Sequence, residues 1–277
     1  MTASGSMLCK NTEFKWGERT YVMGIINVSP DSFSGDGITN FESIITLAKT
    51  MLSDGADILD VGGESTRPGY TPVTVDEEIK RVIPVIEQLA PLVTVPISVD
   101  STKYEVVSLA LEAGANIIND QWGLKTEPRL AELAAEKGVP IILMNNLRDR
   151  ESLNTDVMVE ITTALKQSIE LAERSGVPLK NIIIDPGIGF IKSWKEDLTV
   201  INRLNELSVL GRPILFGPSR KSFIKMVLNL PADERVEGTA AAVAIGISKG
   251  ADIIRVHDVK QMVRVARMSD AIMRNNA

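Results

Sequence analysis

The chain has 277 residues, 44% of them hydrophobic, with a formal net charge of −6 and a sequence pI near 5.1. That is enough apolar material for one barrel domain or two smaller units, while the acidic balance excludes a general nucleic-acid surface, which needs a clustered positive face. One cysteine, Cys9, and one histidine exclude an internal disulfide, a multi-thiolate site and histidine-rich zinc chemistry; with no membrane-length apolar run and no export signal, a soluble cytoplasmic protein is expected.

In chain order, residues 1–10 are expected to form a flexible tail and residues 11–277 a single domain. Thr12 to Thr20 reads as a short hairpin that could cover a barrel floor. Strands are predicted at Tyr21–Ile26, Ile58–Val61, Ile97–Val99, Ile117–Ile118, Ile141–Met144, Ile182–Ile184, Ile214–Phe216 and Ile253–Val256. Between and after them, helical periodicity covers Phe41–Asp54, Val75–Leu89, Tyr104–Ala113, Pro128–Lys137, Asp156–Ser175, Lys195–Leu207, Arg235–Lys249 and Lys260–Arg274. A phrase recurs at Gly55-Ala-Asp-Ile-Leu-Asp60, Gly114-Ala-Asn-Ile-Ile-Asn-Asp120 and Gly250-Ala-Asp-Ile-Ile-Arg-Val256. Its glycine suits a helix end with positive φ, and the apolar run behind it suits a parallel strand buried on both faces. Strict alternation at this count predicts a (β/α)8 TIM barrel with a short N-terminal β-hairpin on its floor; a doubly wound open sheet is the alternative.

In such a barrel, residues at the C-terminal ends of the strands converge on one mouth. Those positions hold Asn27, Asp60, Asp100, Asn119 with Asp120, Asn145, Asp185, Ser219 to Lys221, and Arg255 with His257. Any one of them could be a cap or turn residue, and Asp60 and Asp120 are read that way. The mixture of charges abutting apolar strands is what turn chemistry leaves unexplained. Three loops add to it. Asn27 to Gly37 is long and small-residued, with Phe33 suggesting a lid. Gly62-Gly-Glu-Ser-Thr-Arg-Pro-Gly69 joins backbone freedom to a guanidinium fork suited to a carboxylate. Gly217-Pro-Ser-Arg-Lys-Ser-Phe223 opens onto a helix where barrels often hold anions. Arg255 and His257 alternate, so they should point the same way. With Asn27 they could hold a diphosphate, bridged by a magnesium ion taking oxygen ligands.

Taken together, Ile26-Asn-Val-Ser-Pro-Asp-Ser-Phe-Ser34, Asp60-Val-Gly-Gly-Glu-Ser-Thr-Arg-Pro-Gly69, Ser98-Val-Asp100, Ile117-Ile-Asn-Asp120, Asp185-Pro-Gly-Ile-Gly-Phe190, Ser219-Arg-Lys-Ser-Phe223 and Arg255-Val-His-Asp258 resemble the dihydropteroate synthase family, the folate-pathway transferases that sulfonamides inhibit. The match runs in order from near residue 20 to near residue 260. The resemblance implies condensation of a 6-hydroxymethyl-7,8-dihydropterin diphosphate with p-aminobenzoate, with diphosphate released. It implies pterin binding by Asp100, Asn119, Met144, Asp185, Gly217 and Lys221, and p-aminobenzoate binding by Phe33, Thr66, Arg67, Pro68, Phe190, Lys221 and Ser222. Asn27, Arg255 and His257 would hold the diphosphate and Asn27 the magnesium ion; Asn27, Asp100, Lys221, Arg255 and His257 form the catalytic set. Family members are commonly homodimers, and Val236–Ile247 with Lys260–Met273 carry enough apolar and small residues for a dimer face or for core burial.

The sequence departs from the family pattern at Gly35-Asp36-Gly37, at Asn145-Asn146 and at Ile191. Related alternatives are a pterin-dependent methyltransferase acting on a corrinoid protein, and a pterin-binding paralogue with little turnover.

Overall fold

The computed structural model describes residues 5–28, 38–64, 72–148 and 155–274, with side chains described from residue 41 onward in the second of these segments. Strands β1 (Ser6–Cys9) and β2 (Thr12–Lys15) pair antiparallel, Met7 opposite Phe14. Eight parallel strands follow: β3 (Tyr21–Asn27), β4 (Ile58–Gly62), β5 (Ile97–Asp100), β6 (Ile117–Asp120), β7 (Ile141–Met144), β8 (Ile182–Asp185), β9 (Leu215–Phe216) and β10 (Ile253–Val256). Their order is β8-β7-β6-β5-β4-β3-β10-β9, and a parallel bridge from Ile184 to Ile214 joins the two ends. The sheet is therefore a closed barrel, and the open doubly wound alternative is excluded.

Helices α1 (Ile38–Ser53), α2 (Val75–Leu89), α3 (Tyr104–Glu112), α4 (Arg129–Lys137), α5 (Val157–Arg174), α6 (Trp194–Asn202), α7 (Ser222–Leu228), α8 (Val236–Ser248) and α9 (Val259–Arg274) surround it. Two differ from the sequence reading. The helix expected over Lys195–Leu207 stops at Asn202 and gives way to 3-10 turns over Leu204–Leu210. The seven-residue α7 is an extra helix after the seventh barrel strand, at the place where barrels often insert one for anion binding.

The recurring phrase has a structural cause. Its glycines, Gly55, Gly114 and Gly250, sit at φ +103°, +114° and +100°, where a Cβ would be strained. The polar residue two places on then completes the neighbouring strand. Asp57 Oδ2 accepts from Val22 N at 2.9 Å, Asn116 Oδ1 from Ile97 N at 3.1 Å, and Asp252 Oδ2 from Ile214 N at 3.0 Å. Each side chain satisfies a backbone donor at the start of a strand, where the ladder has no partner to offer.

Inside the barrel, Tyr21, Met23, Ile58, Ile117, Ile142, Ile183, Leu215 and Ile253 form one apolar cluster with Met7, Cys9, Phe14 and Trp16 of the hairpin. The Phe14 and Tyr21 rings meet edge-on at 4.9 Å and Phe14 stacks near Trp16 at 5.8 Å. The hairpin plugs the floor, as anticipated, but it starts earlier than Thr12. Met7 and Cys9 are buried in alternation with exposed Ser6 and Leu8, so the tail expected over residues 1–10 is corrected: Ser6–Cys9 is a strand holding part of the core.

Because side chains alternate across a strand, the inward floor residues fix which polar residues face inward at the other end. Ile58 makes Asp60 inward; Ile117 makes Asn119 inward and Asp120 outward; Ile183, Leu215 and Ile253 do the same for Asp185, Gly217 and Arg255. The outer faces, including Leu59, Val99, Ile118, Leu143 and Ile254, pack under the helices in a second, larger cluster.

Replacing Asn116 with alanine should leave the Ile97 N–H unpaired and lower the free energy of unfolding by about 1–3 kcal/mol, read from urea denaturation. An unchanged midpoint would mean that the donor is already solvated and that the phrase has no capping role.

Candidate active site

At the C-terminal end of the barrel, Asn119, Met144, Asp185, Phe190, Lys221 and Arg255 line a solvent-open pocket together with Gln121, Ile188 and Gly217, with about 300 Å³ of empty space when the open mouth is included. Seven of these were singled out from sequence: Asn119, Met144, Asp185, Phe190, Gly217, Lys221 and Arg255. Gln121 and Ile188 were not.

The floor of the pocket is a charged cluster around Arg255. Its Nε donates to Asp60 Oδ2 at 2.7 Å and its Nη2 to Asp100 Oδ2 at 2.6 Å. Asn119 Nδ2 donates to both oxygens of Asp60 at 3.3 Å, and Gln121 Nε2 donates to Asp100 Oδ1. Asp60 is fully buried. Reading it as a turn residue is therefore wrong: it faces inward from β4 and anchors the arginine. Asp120, one residue past inward-facing Asn119, is the turn residue expected. It accepts from Trp122 N at 2.9 Å and Leu124 N at 2.6 Å.

Burial opposes charge on Asp100 and Asp185 more than the neighbouring cations favour it. Asp100 is pushed up to about 7 by burial, against the pull of Arg255. Asp185 is pushed up to about 6 by burial, opposed by the Gly187 N–H that it accepts at 2.7 Å and by Lys221. Lys221 is lowered to about 8, chiefly by burial and then by the adjacent Arg255.

Lys221 and Phe190 are set by the Asp185-Pro-Gly-Ile-Gly-Phe190 turn. Lys221 Nζ lies 4.3 Å from the Phe190 ring centroid and Arg148 Cζ lies 4.0 Å from it, so cations pack on this aromatic surface. Gly187, at φ +78°, passes so close to the Asn145 carbonyl that a Cβ would sit 1.9 Å from its oxygen. A Cβ on Gly189 would meet Lys221 Cδ at 2.7 Å. Asp197 of α6 fixes this turn by accepting from Gly189 N at 2.8 Å. The two described departures from the family pattern fall into packing. Asn145 is buried, donates its backbone N–H to the Asp185 carbonyl at 2.9 Å and lies outside the pocket lining. Ile191 joins the outer core.

Beside the pocket, His257 Nδ1 lies 3.0 Å from Ser219 Oγ, which also accepts the His257 backbone N–H at 3.1 Å. Its Nε2 lies 3.5 Å from Asn27 Nδ2. Burial, and then the positive Arg255, push the imidazole down to about 4. At neutral pH it is thus an uncharged hydrogen-bonding group rather than a cation. Arg220, at φ +57°, pairs with Asp258, so of the two adjacent cations in this loop only Lys221 lines the pocket. Ser222 is exposed at the first position of α7 and does not line the pocket. Phe33, Thr66, Arg67, Pro68 and the Gly35-Asp36-Gly37 departure lie outside the described residues. The base of the second loop is described: Lys103 Nζ bridges Glu64 and buried Glu78, and Arg81 Nη1 donates to the Gly63 carbonyl at 2.9 Å.

Residues 23–257 match the model of a family described as pterin binding enzyme. The chain is 50% identical over 265 residues to the dihydropteroate synthase of Bacillus subtilis strain 168, covering 95% of this chain and 92% of the relative. A crystal structure of dihydropteroate synthase from Clostridium difficile in the presence of pteroic acid superposes with a TM-score of 0.90 at 46% identity, covering 93% of this chain and 98% of that one. The Xanthomonas albilineans dihydropteroate synthase with 4-aminobenzoic acid gives a TM-score of 0.90 at 39% identity, covering 97% of this chain and 98% of that one.

Holding Lys221 charged in this pocket is unfavourable, because its folded-state value lies below that of a free lysine. The unfolded chain therefore binds the extra proton between pH 8 and the ordinary lysine range, and stability rises with pH across that window. Lys221→Met should melt higher than wild type at pH 7, with the gap narrowing above about pH 8. A variant that melts lower at pH 7 would show the ammonium to be a net stabiliser instead.

Proposed function

The chain belongs to the pterin-binding enzyme family and, within it, to the dihydropteroate synthases; from that premise we propose how its side chains divide the work. It is a transferase of folate biosynthesis that condenses 6-hydroxymethyl-7,8-dihydropterin diphosphate with p-aminobenzoate and releases diphosphate. The observation that carries the division of roles is the pocket that buried Asp185 lines together with Lys221 and Arg255.

Asp185 receives the amidine-like edge of the pterin, its N3–H and 2-amino group, through two parallel hydrogen bonds, which only an ionised carboxylate can accept in full. Asn119 and Asp100 complete the ring's polar contacts, and Lys221 donates to the ring from the opposite wall. Met144 and Gly217 give it apolar walls. In the reaction, the bond from the pterin methylene to the diphosphate oxygen breaks and the electron pair leaves with the diphosphate. The aryl amine nitrogen then bonds to the cation-like methylene and loses its proton to solvent. Stabilising the departing anion is where the barrier falls most. Arg255 uses Nε and Nη2 on carboxylates, which leaves Nη1 for the diphosphate, and neutral His257 with Asn27 supplies hydrogen bonds beside it. Phe190 and Lys221 frame the p-aminobenzoate side with Ser222 at the helix start, and Phe33, Thr66, Arg67 and Pro68 complete it.

A magnesium ion is a hard cation that takes oxygen ligands. Exposed Asn27 offers one amide oxygen beside His257, which suits an ion that draws its other ligands from diphosphate and water. When bound, the ion would neutralise part of the leaving group's charge. The proposed setting is the cytoplasm, in keeping with a lone reduced cysteine; no helix among the described residues is long and apolar enough to cross a membrane. A homodimer is proposed through α8 and α9, where Ile245, Met268, Ile272 and Met273 are apolar and exposed.

Purified protein supplied with the pterin diphosphate, p-aminobenzoate and magnesium should release diphosphate and dihydropteroate in equal amounts, and light scattering should give twice its 30.1 kDa chain mass. Asp185→Asn should weaken pterin binding by on the order of 2 kcal/mol, roughly thirtyfold in Kd. Wild-type affinity should fall as the pH drops below about 6, where Asp185 takes up a proton. Unchanged affinity in the variant would remove Asp185 from this role.

A further inference from the structure

Asp197 of α6 has no part in the division of roles above and lies outside the pocket lining. It is nonetheless a carboxyl with only 1% exposure, and its Oδ1 accepts from Gly189 N at 2.8 Å. The bond reaches from α6 into the Asp185-Pro-Gly-Ile-Gly-Phe190 turn, whose two ends are tied to the loop after β7. At the first end, Asn145 donates its backbone N–H to the Asp185 carbonyl at 2.9 Å and its Nδ2 to the Pro186 carbonyl at 3.4 Å. At the second, the Phe190 carbonyl accepts from Leu147 N at 3.1 Å, and Phe190 N donates to the Gly187 carbonyl at 2.8 Å. The peptide joining Ile188 to Gly189 lies between these anchors, and its N–H is the one that Asp197 receives.

A glycine at this point gives the peptide two choices. Gly189 sits at φ +78°, and with no Cβ it is about as stable at negative φ, so the backbone alone does not select which way its N–H faces. A buried N–H turned away from an acceptor is unfavourable, and Asp197 supplies the acceptor on one side. The orientation it selects matters to the pocket. Gly189 lies against the Lys221 stem, where a Cβ would meet Cδ at 2.7 Å, and the next residue, Phe190, places its ring centroid 4.3 Å from Lys221 Nζ. Burial pushes Asp197 up to about 7, and protonated or ionised it keeps an oxygen able to accept; acceptance, rather than charge, is its constant property. Resting on the reading that Phe190 and Lys221 frame p-aminobenzoate, we infer that Asp197 is a positioning residue for that second substrate. It fixes the Gly189 peptide, and through it the Lys221 stem and the Phe190 ring, while Asp185 is held independently for the pterin.

The test compares Asp197→Leu and Asp197→Ala, which remove the acceptor at two side-chain sizes, with Asp197→Asn, which keeps it. Two quantities are read: the KM for p-aminobenzoate at saturating pterin diphosphate, and the Kd for 6-hydroxymethyl-7,8-dihydropterin by titration. The first two variants should raise the KM on the order of tenfold and change the pterin Kd by less than about threefold, while Asp197→Asn should stay close to wild type in both. An unchanged KM in the first two overturns the inference, as does a KM that rises together with the pterin Kd, which would mark general support of the mouth. Asp197→Asn as damaging as Asp197→Leu overturns it too, since the charge rather than the bond would then be at work. Phe190→Leu, run alongside, separates the premise from the inference. An unchanged KM there removes Phe190 from the p-aminobenzoate wall and the inference with it, whereas a raised KM there with none in Asp197→Leu refutes the role of Asp197 alone.

Discussion

A guanidinium buried between two carboxylates organises the mouth of this barrel. Arg255 bonds Asp60 from one strand and Asp100 from another, so one side chain of β10 reaches β4 and β5 across the interior. Each partner alone would be an unpaired charge in a poorly solvated place, a state that is strongly unfavourable. Together they hold two amides in place, Asn119 through Asp60 and Gln121 through Asp100. The polar wall of the pocket is thereby set before any ligand arrives.

That arrangement also separates the two electrostatic tasks of the reaction. Carboxylates and amides on β5, β6 and β8 suit a heterocycle rich in N–H groups, while Arg255, Lys221 and the neighbourhood of His257 suit an anion. The separation is incomplete at the level of charge, since Asp100 stays near 7 and Lys221 near 8 even with partners close by. Burial is the common cause. A substrate that brings both a donor edge and a polyanion relieves both strains at once, which is the sense in which this site favours its reacting state.

Much of this was legible in the sequence. The Gly-Ala-Asp/Asn-Ile phrase gave the βα period because each copy ends a helix, caps the neighbouring strand and begins a buried one. The polar strand ends gave Asn119, Asp185, Lys221 and Arg255. Asp60 and Gln121 escaped because strands of four or five residues, apolar on both faces, do not reveal from their own pattern which face is inside. Only the hairpin residues Met7 and Phe14, packed against Ile58 and Ile117, settle the parity, and alternation then carries it to Asp60, Asn119 and Gln121. The hairpin's first strand was hidden for a related reason: two buried residues beside a Ser/Gly-rich start are too few to read as alternation. The 3-10 turns after α6 were equally unreadable, since their apolar residues continue the helical spacing.

The interdependence of Asp60 and Arg255 is measured most directly by a double-mutant cycle on stability, using Asp60→Asn, Arg255→Met and the pair, each unfolded in urea. Arg255→Met leaves two buried carboxylates without their cation and should lower the unfolding free energy by about 3–5 kcal/mol. Asp60→Asn leaves the arginine only Asp100 and should cost about 1–3 kcal/mol, and the double variant should lose less than the sum by at least about 1 kcal/mol. Losses that add to within about 0.5 kcal/mol would mean that the two residues act independently, and the arginine would not be the organiser of the mouth.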